Sequence, residues 1–173
     1  NSTKVFVCVA RVDPMKDHST LLSAFSQAQK IHNDVTLFLI GNKTNSLTET
    51  KGVISLGQCK NVEEIYPGAD SIISSSAFGE GFSNAIAEGM SSGLVPIATK
   101  VGDSEKIIGH TGILIKPQDV IALTNAIDKV VTMSKQKLEA KKYAVRNRII
   151  HNFSRSRMLE SYNKIYIKLM DNS

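Results

Sequence analysis

KVFVCVARVDPMKDHSTLLSAFSQAQKIHNDVTLFLI, from Lys4 to Ile40, holds two short apolar runs on either side of one amphipathic stretch. The runs at Val5 to Val9 and Val35 to Ile40 are apolar almost without interruption, as strands buried on both faces are. Between them, Ser19 to Ile31 carries Leu21, Leu22, Phe25, Ala28 and Ile31 on one helical stripe, with Asp17 placed to cap its first turn. Further runs follow at Val53 to Leu56, Ser71 to Ile73, Val95 to Ala98 and Gly112 to Ile115. Strand and helix alternate, which predicts an α/β, Rossmann-like parallel sheet of about six strands with helices on both faces and right-handed crossovers. Two segments break the rhythm. Gly41 to Gly52 is polar and too short for a confident helix, and everything after Asp119 reads as helix.

At 173 residues and 42% hydrophobic content the chain can bury one core without disulfides or structural metal. Its two cysteines, Cys8 and Cys59, form neither a metal-ligand spacing nor a disulfide framework, which fits a reducing cytoplasm. No stretch approaches the length of a membrane span, and the first strand begins at once, as if at a cut between domains. The net charge of +5 gathers late, where Lys137, Lys141, Lys142, Arg146, Arg148, Arg155 and Arg157 face only Glu139. A solvated helix face explains that cluster, and peripheral contact with an anionic membrane, at its inner face, is a second reading. Nucleic acid is excluded, since no recognition signature accompanies the charges.

In a parallel sheet, ligands bind where loops and helix N-termini converge at the carboxyl ends of strands. The loop after the first strand, Ala10 to Lys16, supplies Arg11 and Lys16, two cations suited to a diphosphate. The loop after the fourth runs through Ser74 to EGFSNAIAEGM, Glu80 to Met90, with a helix expected from about Phe82. The amides of Gly81, Phe82 and Ser83 would then be unpaired at a positive helix end, where an anion is held. Asn84 and Glu88, four residues apart, share the helix face above. A carboxylate accepts two hydrogen bonds from a vicinal diol, so Glu88 suits a ribose and Glu80 sugar hydroxyls. Two glutamates around a helix start are also commonly solvated or capping groups.

These segments together resemble the family 4 glycosyltransferases, retaining enzymes of two Rossmann-like domains facing across a donor cleft. ARVDPMKD, Ala10 to Asp17, is similar to the family's donor-phosphate loop, and Glu80 to Glu88 to its Glu-x7-Glu motif. ADSIISSS, SSGLVPIAT and TGILIKPQD fall in the expected order. The resemblance implies that residues 1–173 form the nucleotide-sugar donor-binding domain, the C-terminal half of a type-B fold. Arg11 and Lys16 would bind the diphosphate and act in catalysis with Glu80, which contacts the transferred sugar. Gly81, Phe82, Ser83 and Asn84 would face donor oxygens, Glu88 the ribose, and Cys59 and Val62 the base. The resemblance implies no metal or cofactor; the substrate would be a nucleoside diphosphate sugar, with UDP-sugar favoured and a carbohydrate or lipid-linked acceptor, as in polysaccharide biosynthesis. The N-terminal acceptor domain would be the missing partner, toward which a terminal helix at 154–170 returns, and the isolated fragment would be inactive or self-associate.

Asp103 stands where the family commonly has a second glycine after Gly102, and the segment from Gly41 to Val53 is short. A non-catalytic nucleotide-sugar-binding module and a nucleotide-sugar epimerase of the same plan are the alternatives. Gly41 to Thr44 is no phosphate-binding P-loop, because Asn42 and Leu37 replace its glycines. His18, His32, His110 and His151 are scattered and are expected at the surface.

Overall fold

The computed structural model describes residues 3–47 and 49–171. Its strands are β1 (Lys4–Val9), β2 (Val35–Ile40), β3 (Val53–Gly57), β4 (Ser71–Ser74), β5 (Val95–Thr99) and β6 (Ile113–Ile115). Its helices are α1 (His18–Ile31), α2 (Asn84–Ser91), α3 (Ser104–Ile108), α4 (Val120–Val131), α5 (Lys135–Phe153) and α6 (Arg155–Asp171). The strands form one sheet in the order β3-β2-β1-β4-β5-β6, and each neighbouring pair is parallel. The predicted α/β sheet is therefore the observed one, with strand ends shifted by a residue or so.

Alternation along the strands divides the core between two faces. Phe6, Cys8, Leu37 and Leu39 meet Leu21 and Phe25 of α1 and Leu123 and Ile127 of α4. On the other face Val7, Ile40 and Ile72 pack with Tyr66 and Leu94, while α2, α3 and α5 close over Ala98 through Ile86, Met90, Ile107 and Val145. Burial of Cys8 pushes its thiol up to about 12, so it is an inert core side chain. Helix α2 lies unusually close to β4. A Cβ on Gly89 would stand 2.6 Å from Ile72 Cδ1, so glycine is what allows the approach.

Capping follows the sequence closely. Asp17, at φ 47°, accepts from the Thr20 amide at the start of α1, while Asp119 and Ser134 cap α4 and α5. The short β2-to-β3 crossover holds one 3-10 turn at Thr44–Ser46 within the described residues; Thr48 of that segment lies outside them. The buried Thr44 hydroxyl takes over the tying role of a helix: it donates to Gly41 O at 3.1 Å and accepts from Gly57 N at 3.1 Å.

Two expectations need correction. The basic face of α5 is not uniformly solvated. Lys142 pairs with Asp70 at 2.9 Å, and Asp70 also accepts from Val5 N at 3.1 Å, so this cation ties α5 to the sheet. Lys141 donates to Thr111 O, and the Arg148 guanidinium donates to Ile107 O and Lys106 O, both at 2.6 Å, satisfying carbonyls at the end of α3. Nor are all four histidines at the surface. His18 is buried, and burial lowers its pKa, while His32 binds Asp128 at 2.7 Å.

Helix α6 packs against the end of α5, and none of its side chains is buried. Met158, Leu159, Tyr162, Ile165, Tyr166 and Leu169 recur at three- and four-residue steps and are each at least half exposed. Among the described residues no helix is long and apolar enough to cross a membrane. Such a face favours association in water. Deleting residues 155–171 should therefore abolish concentration-dependent self-association in analytical ultracentrifugation. The melting temperature should fall by no more than ~4 °C, the shift of about 1 kcal/mol in a domain of this size.

Candidate functional site

The sheet order reverses between β1 and β4, and the loops that follow these two strands meet at that point. Hydroxyls and backbone stitch them together. The Ala77 amide donates to Met15 O at 2.8 Å, and Ser75 Oγ donates to Lys16 O at 2.9 Å and Asp17 O at 3.2 Å. Thr99 Oγ1 donates to Ser76 O and Ser104 Oγ to Thr99 O, each at 2.6 Å, which adds the loop after β5 to the assembly.

A 3-10 turn at Pro14–Lys16, capped by Asp13 on the Met15 amide at 2.9 Å, aims Lys16 across the crevice. Its Nζ forms an ion pair with Glu80 Oε1, and Ser76 Oγ donates to the same oxygen at 2.5 Å. Both charged side chains are largely covered, at 20% and 11% exposure, so the pair is poorly screened. Burial pushes the Glu80 carboxyl up, but the Lys16 and Ser76 hydrogen bonds and the charges of Lys16 and Arg11 outweigh it and hold the group below its ordinary range. Arg11 is 60% exposed and leans on Asp13 at 3.3 Å. The sequence places Lys16 beside Arg11 on phosphate; the structure shows Lys16 held by Glu80, with Arg11 outermost.

Helix α2 begins at Asn84, two residues later than expected, with Ser83 at the N-cap position but making no side-chain cap. Its free first-turn amides therefore start at Asn84, and Gly81, Phe82 and Ser83 lie on the loop leading in. The cause is the turn after β5. Asp103 N donates to Gly81 O at 3.2 Å, and Gly102, at φ +56°, lies so close that a Cβ would stand 2.3 Å from Glu80 O. That contact holds the Glu80–Gly81 backbone out of the helix. A cavity of about 20 Å³, close to one water, remains between Lys16, Ser76, Ser83 and Ala85. Phe82 turns its ring outward onto Phe153 at the end of α5, centroids 5.6 Å apart.

Asn84 and Glu88 are both exposed, one turn apart on α2. The Tyr66 hydroxyl, whose ring is buried, donates to Glu88 Oε2 at 3.4 Å, and burial together with the Glu88 charge raises the phenol's pKa. Glu88 shares with Lys60, Val62, Glu63 and Tyr66 an open cleft of about 300 Å³. Cys59 is half-buried beside it, against the cluster that contains Tyr66 and Val62. The site is thus a track: Arg11, Lys16 and Glu80 at one end, the start of α2 in the middle, and Glu88 with Val62 and Cys59 at the other. Sequence reasoning missed Ser76 and Tyr66. The Ser74-Ser75-Ser76 run hinted at the first, but nothing local pointed to the second.

The family model for glycosyl transferases group 1 matches residues 3–133, which include every residue of this track. The chain belongs to the glycosyl transferases group 1. This group 1 chain is similar to a probable sucrose-phosphate synthase 2 of Craterostigma plantagineum, 28% identical over 87% of the chain but only 16% of that protein. Among solved structures, a glycosyltransferase from Rickettsia africae superposes with a TM-score of 0.87 at 24% identity, over 100% of this chain and 49% of that one. Sucrose-phosphate synthase of Thermosynechococcus elongatus gives 0.82 at 22% identity, over 99% and 46%. Anabaena Alr3699/HepE in complex with UDP and glucose gives 0.81 at 20%, over 99% and 49%. The chain spans less than half the length of these relatives, and its fold is that of one half of a type-B glycosyltransferase.

Because Glu80 is depressed in the folded state, its pairing stabilises the group 1 fold above the unfolded carboxyl pKa and is lost as pH falls through the depressed folded value. Lys16→Met removes the pairing and leaves burial opposed only by Ser76 and the Arg11 charge, so the depression of Glu80 shrinks. The stability gap between wild type and Lys16→Met, from urea titrations, should be widest near neutral pH and close below about pH 4.5, the ordinary value for the group. A gap independent of pH would remove Glu80 as the partner that matters.

Proposed function

We propose that this chain is the donor-binding half of a retaining glycosyltransferase. It would act on a nucleoside diphosphate sugar, UDP-sugar favoured, and pass the sugar to a carbohydrate or lipid-linked acceptor without a metal ion. The observation that carries this reading is the Lys16–Glu80 pair beside the start of α2, with Arg11 outside it and Glu88 one helical stretch away. An ammonium has three donors, so Lys16 can keep Glu80 and still take a phosphate oxygen. Lys16, Arg11 and the α2 amides then oppose the negative charge that builds on the leaving diphosphate as its bond to the anomeric carbon breaks. Glu80, fixed by Lys16 and Ser76 through one oxygen, has the other available for a sugar hydroxyl. Attack from the face the diphosphate leaves, with a phosphate oxygen taking the acceptor proton, gives retention. The ribose falls to Glu88, oriented by Tyr66, and the base to the cleft at Val62 and Cys59.

The acceptor side belongs to a second half, absent from these 173 residues, and α6 offers its exposed apolar face to that half. The chain alone would then bind donor without turning it over. Cytoplasmic location, with or without contact at the inner membrane face, fits the free cysteines and the exposed cations Lys137 and Arg146.

Calorimetric titration with UDP and uridine tests the phosphate end. Arg11→Ala should weaken UDP by ~1.5 to 3 kcal/mol, the range of a charge-assisted hydrogen bond, and leave uridine unchanged. Lys16→Ala should cost more, because it also exposes the diphosphate to an uncompensated Glu80. Equal affinity of Arg11→Ala and wild type for UDP would take Arg11 off the diphosphate.

The ribose end is tested with deoxy analogues. Glu88→Ala should reduce affinity for UDP more than for its 2'-deoxy or 3'-deoxy counterpart, since only an intact diol uses both carboxylate oxygens. The same loss across the series would move Glu88 away from the ribose.

A further inference from the structure

The loop that presents the Gly81–Ser83 amides carries a large side chain, Phe82, next to the start of α2, and that side chain does not enter the domain's core. Phe82 is 43% exposed, and its ring meets Phe153 with centroids 5.6 Å apart and planes inclined at 56°. Phe153 is the last residue of α5. It is partly buried and packs on the cluster of Ile86, Met90, Ile107, Val145 and Ile149, which seats α2 on the sheet. One ring therefore bridges the body under α2 and the loop ahead of it.

The chain just after Phe153 is built as a junction. Ser154 leaves helical geometry at ψ 158°, and α6 starts at once at Arg155. The break is tied rather than loose: the Arg157 guanidinium donates to His151 O at 3.0 Å, the Ser154 and Ser156 hydroxyls bond at 3.0 Å, and Met158 N donates to Ser154 O at 3.0 Å. Any shift of α6 is thus transmitted to the last turn of α5, where Phe153 sits.

We propose that Phe153 is a positioning residue for the donor loop: through Phe82 it sets the course of the Gly81–Ser83 backbone and couples it to the α5–α6 junction. Upstream the loop is held at Ser76 by Thr99, at Ala77 by Met15 and at Glu80 by Lys16 and Ser76, and Gly102 and Asp103 meet the Glu80 and Gly81 carbonyls. The aromatic contact is what fixes it from the outside, one residue before the α2 cap. Loss of the ring leaves Gly81, Phe82 and Ser83 free to sample other orientations, while Arg11, Lys16, Glu80 and Glu88 keep their own supports.

The inference rests on the donor reading above only for its consequence in binding; its structural claim is read independently. Backbone 15N relaxation is measured on wild type, Phe153→Leu, which keeps apolar volume against α2, and Phe153→Tyr, which keeps the ring. Phe153→Leu should lower the order parameters of Gly81, Phe82 and Ser83 from the rigid range of about 0.85 toward about 0.6, with those of α2 unchanged, and Phe153→Tyr should restore the wild-type values. UDP affinity should fall about two- to tenfold in Phe153→Leu, the span corresponding to an aromatic pair's extra interaction, while uridine affinity stays constant. Unaltered order parameters at these three residues in Phe153→Leu, or the same change in both variants, overturns the proposal. Lowered order parameters with no UDP binding even in wild type would leave the positioning role standing and defeat the donor assignment instead.

Discussion

A parallel sheet whose strand order reverses must leave a crevice at the reversal, because the crossovers on its two sides run in opposite directions. Here that point lies between β1 and β4, and what fills the crevice is a charged pair, Lys16 with Glu80. Neither charge could be covered alone without a large desolvation cost; together, with Ser76 on the same carboxylate oxygen, they are stable at low exposure. The pair also determines what the loops can do. It locks the end of the 3-10 turn that carries Lys16 to the loop ahead of α2, so the loops after β1 and β4 are held together.

The supports of that arrangement are small groups used at short range. Ser75 and Thr99 donate to carbonyls of the loops after β1 and β4, Ser104 donates to the last carbonyl of β5, and Gly102 brings the turn after β5 against the Glu80 carbonyl where a Cβ would not fit. Such contacts fix loops without apolar burial. The far end is built differently. Glu88 is exposed, and the buried Tyr66 reaches it from the core with a weak hydrogen bond, so its orientation is set while its second oxygen stays available.

Helix α5 has a double character that composition conceals. Its cations near the sheet are structural: Lys142 neutralises Asp70, and Arg148 satisfies the carbonyls that end α3. Its last residue, Phe153, touches Phe82 on the loop ahead of α2, and the helix that follows presents an uncovered apolar face. The strut that holds α2 in place is thereby continuous with the element that faces outward.

The order of strands and helices and the cap at Asp17 were legible in the sequence, because apolar periodicity and capping chemistry act over a few residues and leave a local mark. Arg11, Lys16, Glu80 and Glu88 stood out by charge in loops after strands and at a helix start, while Cys59 and Val62 entered through the family resemblance alone. The start of α2 at Asn84 rather than near Phe82 was not legible, because it is imposed by Gly102 and Asp103, some twenty residues on. Nor could the sequence show that Lys16 is held by Glu80, that Tyr66 orients Glu88, or that Lys142 and Arg148 are structural while Lys137 and Arg146 remain solvated. Each of those pairings joins groups whose separation along the chain is unrelated to any helical or strand repeat. Only the reversal of strand order and the crossing of α5 over the sheet bring them within hydrogen-bonding distance, and those are properties of the assembled fold.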